Sequence, residues 1–192
     1  MGETMLPSII MNAALIALFL LCLILYINRV HPYSRLFRYF TTLSNMLCAF
    51  AALAVLLHSG GALPFWVLLL KYTGTAAVTV TMLTVFIFLG PISHKWKDLL
   101  VGPELVLHLI NPLLAIVSFV FFEKTELPVW TIAAGVAPVL LYGILYGIKV
   151  LGVKEERRWN DIYGFNRGGR WKVSFVMMLA AAAVISTVLL FC

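Results

Sequence analysis

Hydrophobic residues fall into six long runs along the chain, separated by shorter segments that hold most of the charged residues. The runs cover residues 8–26, 40–57, 65–89, 103–122, 128–148 and 173–191. Each is close to the ~20 residues that a helix needs to cross the apolar core of a bilayer. The pattern predicts an all-α polytopic membrane protein, a single domain over residues 1–192 with six transmembrane helices in one bundle. The first run is too long, and too poorly flanked by basic residues, for a cleaved signal peptide.

Composition and charge favour the same class of protein. Hydrophobic residues make up 62% of the chain, charged residues only 11%, and the mean hydropathy is +1.02. A soluble domain carries about 25% charged residues. Twelve of the 14 basic residues lie after the first, third and fifth runs. The net charge of +6 therefore indicates membrane orientation rather than a nucleic-acid partner. We expect these basic loops in the cytoplasm and both termini outside.

The fourth run carries strongly polar residues on one helical face. Pro103 suits the first turn of a helix, and Glu104, His108 and Asn111 then follow at i, i+4 and i+7. An ionisable group in a spanning segment costs a few kcal/mol even on lenient insertion scales, and it usually faces the bundle interior or a wet cavity. We therefore expect this face to form the inner wall of a site. The first run, by contrast, has little polarity and is predicted to be a lipid-facing wall.

The second run opens with a second polar cluster, Phe40-Thr41-Thr42-Leu43-Ser44-Asn45. Thr41, Ser44 and Asn45 share one face, while Thr42 points elsewhere. Such residues often fasten neighbouring helices to one another.

The depth of the second cluster suggests a further role. At 1.5 Å per residue, Thr41 lies roughly 4.5 Å beyond Arg38, and His108 lies roughly 7.5 Å beyond Pro103. Both helices are predicted to enter from the cytoplasmic side. Thr41 and His108 can therefore occur at similar depth if the second and fourth helices pack together.

Other polar positions are candidates for a cavity wall. The third run is rich in threonine, and the fifth carries a tyrosine pair at i, i+4. Helix packing is one explanation and a substrate cavity is the other. The candidate cavity residues are Thr42, Thr81, Thr84, Tyr142 and Tyr146. Gly90-Pro91 is predicted to end the third helix, and the aromatic segment 151–171 is predicted to cover the inner mouth of the site.

The sequence contains no GxSxG, HExxH, CxxC, Walker or glycine-rich nucleotide motif. Glu104 and His108 are too few ligands for a catalytic zinc, and only His108 among the four histidines lies well inside a run, since His31, His58 and His94 fall in loops or at a helix end. The groups that remain as candidates for catalysis are the Thr41 hydroxyl and the His108 imidazole. A histidine can take the proton of a threonine hydroxyl and so make it a nucleophile, without a cofactor. Glu104 would support the histidine, and Asn45, Asn111 or Ser44 could donate to an oxyanion.

Several of these motifs resemble one family. Phe40-Thr41-Thr42-Leu43-Ser44-Asn45, the threonine-rich third run ending in Gly90-Pro91, and His108 followed by Pro112 are similar to the family of androgen-induced gene and androgen-dependent TFPI-regulating proteins. The Asp161-Ile162-Tyr163-Gly164-Phe165 segment resembles the bacterial branch. The resemblance implies a six-helix intramembrane threonine hydrolase of fatty acid esters of hydroxy fatty acids, located in a bacterial cytoplasmic membrane. It assigns the nucleophile to Thr41 and the base to His108.

Two other classes of function stay open. Glu104 and His108 could form a proton or ligand site in a transporter or lipid-binding membrane protein, although no inverted repeat is visible. The polar residues could also simply fasten helices in a structural or partner-binding membrane protein. A lipid or fatty acyl ester drawn from the bilayer is the partner that the leading hypothesis requires.

Overall fold

A computed structural model of the chain describes residues 5–29 and 33–192 and has six long apolar helices packed together. They are α1 (Met5–Ile27), α2 (Phe40–Leu57), α3 (Phe65–Ser93), α4 (Pro103–Glu123), α5 (Thr131–Gly152) and α6 (Trp171–Phe191). A short helix, Trp96–Leu99, lies between α3 and α4. The predicted fold class, all-α with six long apolar helices in one bundle, is confirmed, and the chain is a polytopic membrane protein. His31 lies outside the described residues.

The end of α3 differs from its prediction. The helix runs through Gly90-Pro91 and stops only at Ser93, where His94 adopts a left-handed φ of 55°. Pro91 lacks an N–H group and its ring crowds the carbonyl group four residues earlier. The helix accommodates Pro91 by widening into a π-helical turn at Thr84–Leu89 instead of ending there.

α3 is the central helix and packs against α2, α4, α5 and α6. Small residues allow this close packing, because a Cβ atom at Gly74 would lie 3.0 Å from the Cα atom of Cys48 in α2. The main buried core surrounds α3 and includes Tyr72, Ala76, Val80, Phe119, Val139 and Ala182. Side chains from α2, α4, α5 and α6 can therefore meet around α3.

The two ends of the bundle differ in charge. α1, α3 and α5 end where α2, α4 and α6 begin. Residues 28–29, 33–39, 94–102 and 153–170 lie at this end and contain most of the lysines and arginines. We call it the basic end. Because α2 and α4 both start there, Thr41 in the first turn of α2 and His108 in the second turn of α4 lie at the same end of the bundle.

A buried ionic network connects α1, α3 and α4 away from the site. Lys71 Nζ lies 3.3 Å from the Glu123 carboxylate, and both side chains are almost wholly inaccessible. Lys71 donates to Asn12 Oδ1 at 2.6 Å, while Ser8 and Ser118 donate to Glu123 at 2.8 Å and 2.6 Å. The prediction that α1 is only a lipid-facing wall is therefore wrong, since its polar residues Ser8 and Asn12 satisfy buried charges.

Candidate functional site

Thr41 and His108 meet at the basic end. Thr41 Oγ1 lies 3.2 Å from His108 Nε2. The His108 side chain is buried and Thr41 is half-buried. The proximity that the depth estimate predicts is present in the structure.

A backbone carbonyl group fixes the orientation of the His108 ring. His108 Nδ1 lies 2.8 Å from the carbonyl oxygen of Leu99. Leu99 ends the short helix, so its carbonyl group lacks an intrahelical partner. A carbonyl oxygen can only accept, so Nδ1 carries the hydrogen and Nε2 is left as an acceptor. The Thr41 hydroxyl therefore donates to Nε2.

His108 lies in a π-helical turn, Val106–Ile110, in which the Asn111 N–H bonds back to the carbonyl of Val106. Pro112 explains this turn, since it has no N–H and its ring displaces the carbonyl group of His108, four residues earlier. π-helical turns are rare and occur frequently at functional sites. The same proline that interrupts α4 thus sets the position of the histidine.

Glu104 lies beside the ring without orienting it. Its Oε2 atom is 3.5 Å from His108 Nδ1, too long for a strong hydrogen bond. Its Oε1 atom accepts a hydrogen bond from the Tyr26 hydroxyl. Leu99 takes the orienting role that the sequence suggests for Glu104. The carboxylate can instead stabilise a positive charge on the imidazole.

Asn45, Asn111 and Ser44 fasten the helices around the pair. Asn45 Nδ2 donates to the carbonyl groups of Thr41 at 2.9 Å and Leu107 at 3.1 Å. Both amide hydrogens of Asn45 are thereby engaged. Asn111 Nδ2 donates to Asn45 Oδ1 at 3.0 Å, and Ser44 Oγ lies 2.8 Å from Thr81 Oγ1. These bonds hold α2 against α3 and α4.

Thr41 lines two adjoining cavities. The first is a polar cleft of about 380 Å³ at the basic end, and its walls include Thr42, Lys95, Asp98, Glu104 and His108. The second is a narrow apolar chamber of about 40 Å³, and its walls include Thr81, Thr84, Val139, Tyr142 and Met178. Thr41 therefore lies where the polar cleft and the apolar chamber meet, while His108 lines the cleft alone.

A groove extends the apolar chamber between α3 and α6. The groove has a volume of about 400 Å³ and shares Thr84, Phe165 and Met178 with the chamber. Its walls also include Ile87 and Met177, whose side chains are 70% and 64% exposed on the surface of the bundle. An alkyl chain could enter the chamber from the bilayer by this route.

Tyr163 is a site residue that sequence reasoning missed. It lines both the polar cleft and the apolar chamber, and its hydroxyl oxygen accepts a hydrogen bond from the Phe40 N–H at 2.9 Å. Burial raises the pKa of Tyr163 to about 12, so its hydroxyl stays protonated at neutral pH. The signals in the sequence were the aromatic composition of segment 151–171 and the Asp161-Ile162-Tyr163-Gly164-Phe165 motif within it.

Tyr146, a candidate cavity residue, lines neither the polar cleft nor the apolar chamber. Its hydroxyl lies 3.2 Å from Asp161 Oδ1 and accepts from the Tyr163 N–H at 3.3 Å. Tyr146 therefore holds the segment that carries Tyr163. Ile162 and Tyr163 of this segment lie against the cleft, as the predicted cover of the site requires.

Within the described residues, no three His, Cys, Asp or Glu side chains lie close enough together to hold a metal ion. The chain was also compared with known proteins. No protein-family model, curated protein or solved structure matches it.

Proposed function

We propose that the protein is an intramembrane hydrolase of lipid esters, such as fatty acid esters of hydroxy fatty acids. Thr41 is the nucleophile and His108 is the general base. One observation carries this proposal: the Thr41 hydroxyl lies 3.2 Å from His108 Nε2, the acceptor nitrogen of the tautomer whose Nδ1–H donates to the Leu99 carbonyl. Thr41 lies at the junction of a polar cleft and an apolar chamber, and His108 lines the cleft.

The first half of the reaction transfers the acyl group to the enzyme. Thr41 Oγ1 attacks the ester carbonyl carbon as its proton passes to His108 Nε2. The carbonyl double bond opens and its oxygen becomes negatively charged. When the intermediate collapses, the bond to the alcohol oxygen breaks and Nε2 returns the proton to that oxygen. The products are a free hydroxy lipid and an acyl ester on Thr41.

The second half restores the threonine. A water molecule from the cleft gives a proton to Nε2, and its oxygen attacks the acyl carbon. The bond to Thr41 Oγ1 then breaks, and the proton on Nε2 passes to the threonine oxygen. One ester and one water thus give one alcohol and one fatty acid, and no cofactor takes part.

Two groups beside Thr41 are suited to stabilise the oxyanion. The Thr42 N–H has no hydrogen-bond acceptor among the described residues, because it belongs to the first turn of α2. Tyr163 lines both cavities at Thr41, and its hydroxyl oxygen accepts a hydrogen bond from the Phe40 N–H, so its O–H group can turn to donate to an oxyanion. Donors fixed where charge develops are usually the largest single contribution to catalysis.

The cavities suit the two parts of such a substrate. The acyl chain would lie in the apolar chamber and extend into the groove between α3 and α6, where Met178 is a flexible side chain that can move to admit it. The hydroxy acid portion would lie in the polar cleft, where Lys95 is available to a carboxylate. The basic end would face the cytoplasm of a bacterial cell, with both termini outside.

Hydrolysis of a palmitoyl ester of hydroxystearic acid by purified protein in detergent tests this proposal. We expect Thr41→Ala and His108→Ala each to lower the rate by about 10³-fold or more, as in other enzymes that lose a nucleophile or its base. Thr41→Ser should keep much of the activity because it retains the hydroxyl. Thr42→Ala is the matched control, since it removes the neighbouring hydroxyl of the same cleft. Full activity in Thr41→Ala would refute the assignment.

A further inference from the structure

A second pocket lies at the basic end and contains three arginine side chains. Arg35 and Arg38, from the segment before α2, and Arg158, from the segment between α5 and α6, line a cavity of about 300 Å³. Trp159 and Asn160 also line it. We call this cavity the arginine pocket. It does not include Thr41 or His108.

Arg38 and Trp159 are positioned by contacts that leave the N–H groups of the Arg38 guanidinium available to a ligand. The Arg38 guanidinium lies over the Trp159 ring, 5.5 Å from its centre. The Arg38 carbonyl accepts from the Tyr142 hydroxyl at 2.7 Å, and the Trp159 N–H donates to the Lys149 carbonyl at 2.9 Å. The backbone and the tryptophan ring thus position Arg38 without using its N–H donors.

The arginines also form no ion pair with any carboxylate among the described residues. The ion pairs there are Lys71–Glu123 and Glu104–His108, and neither involves an arginine. Asp161, in the same segment as Arg158, accepts hydrogen bonds from the Phe165 and Asn166 N–H groups and so faces into its own loop. Three like charges around one cavity repel one another unless an anion lies between them.

We propose that the arginine pocket binds a phosphate group, supplied by the headgroup of an anionic phospholipid in the adjoining leaflet. Guanidinium groups bind phosphate oxygens through paired N–H donors, which an ammonium group cannot reproduce. Basic segments next to membrane spans attract anionic lipids, and tryptophan and tyrosine side chains favour the headgroup region. Trp159 and Tyr39 supply these rings in the pocket wall.

The arginine pocket adjoins the candidate site. Phosphate binding in the pocket does not depend on the ester hydrolysis proposed at Thr41. Tyr39 and Ile162 line both the arginine pocket and the polar cleft. Arg38 also lies two residues before the start of α2, the helix that carries Thr41. A bound headgroup would therefore hold the start of α2 and the 153–170 segment together at the edge of the cleft.

Lipid binding tests this inference independently of any enzymatic activity. Purified protein in neutral detergent is titrated with phosphatidylglycerol, and the dissociation constant is taken from the shift in thermal unfolding. Arg35→Gln/Arg158→Gln is the test variant. Arg167→Gln/Arg170→Gln is the matched control, because it removes the same charge from exposed arginines outside the pocket.

We expect phosphatidylglycerol to stabilise the wild type and the control equally. Its dissociation constant should rise about tenfold or more in Arg35→Gln/Arg158→Gln, since each lost charged hydrogen bond weakens binding substantially. Arg35→Lys/Arg158→Lys keeps the charge and should bind phosphatidylglycerol with intermediate affinity. It is the second test variant if the glutamine variant fails to fold. Equal loss of affinity in the test and control variants would overturn the inference, as would equal stabilisation by phosphatidylcholine.

Inorganic phosphate distinguishes the source of the group. If the lipid headgroup is the ligand, phosphatidylglycerol should stabilise the wild type at concentrations where inorganic phosphate has no effect. Equal stabilisation by inorganic phosphate, lost in the same test variant, would support a phosphate site but overturn its assignment to a lipid.

Discussion

The Nδ1 atom of His108 lies 2.8 Å from the carbonyl oxygen of Leu99, so a backbone group and not a carboxylate holds the ring. In a serine protease triad an acidic side chain has this role. Here the orienting group belongs to the short helix Trp96–Leu99, just before α4. Under the proposed mechanism, the basicity and direction of Nε2 therefore depend on the conformation of this helix.

Glu104 should contribute to catalysis through its charge. Glu104→Gln removes the carboxylate that lies 3.5 Å from His108 Nδ1 and would stabilise the imidazolium formed during the reaction. We expect kcat for ester hydrolysis to fall about tenfold, equivalent to about 1.4 kcal/mol in the barrier. Asp98→Asn removes the same charge from the wall of the same cleft and should change kcat much less. Equal effects of the two variants would contradict a specific role for Glu104.

Tyr163 should contribute as a hydrogen-bond donor. Tyr163→Phe removes the hydroxyl beside Thr41, and we expect kcat to fall about 10²-fold, the scale seen when one oxyanion donor is lost. Since burial raises the pKa of Tyr163 to about 12, the wild-type contribution should stay constant between about pH 7 and pH 10, where the hydroxyl remains protonated. Tyr39→Phe is the control, because it removes a tyrosine hydroxyl from the wall of the same cleft. A ratio of wild-type to Tyr163→Phe rates close to one across this pH range would refute the donor role.

Met178 should control the acceptance of long acyl chains. It lines both the apolar chamber and the groove between α3 and α6, so Met178→Trp should obstruct the passage between them. We expect the ratio of kcat/KM for palmitoyl over butyryl esters to fall about tenfold, since each buried methylene contributes about 0.8 kcal/mol. Val176→Trp places the same ring on an exposed position of α6 and should leave the ratio unchanged. An unchanged ratio in Met178→Trp would exclude this route for the chain.

The Lys71–Glu123 pair should matter for stability. Lys71→Met leaves the Glu123 carboxylate buried without its partner, so we expect a loss of about 3–5 kcal/mol in the free energy of unfolding. Lys71→Met/Glu123→Gln removes both charges and should recover much of that loss. Unfolding in mixed micelles measures the free energy of unfolding of both variants. Lys172→Met, which changes an exposed lysine, is the control. A double variant as unstable as Lys71→Met would show that the charges are not coupled.

The fold and the central contact could be predicted because they depend on local patterns. Run lengths give the six spans, and counting residues from two helix starts at one end places Thr41 and His108 at similar depth. Leu99 could not be predicted as the orienting group, since any carbonyl group at the end of a short helix looks alike in sequence. Tyr163 and the Lys71–Glu123 pair depend on contacts between segments far apart in the chain. The continuation of α3 through Pro91 depends on a π-helical turn, which hydropathy does not reveal.

An activated Thr41 hydroxyl is the central claim, and a covalent probe tests it most directly. Purified protein in detergent is treated with a fluorophosphonate, in which Thr41 Oγ1 would displace fluoride from phosphorus, and the adduct is located by mass spectrometry. We predict one adduct on Thr41 that is absent in Thr41→Ala and in His108→Ala but present in Thr42→Ala. Folded wild-type protein that stays unlabelled, or that is labelled equally without Thr41, would contradict the account and favour a ligand or proton site at Glu104 and His108.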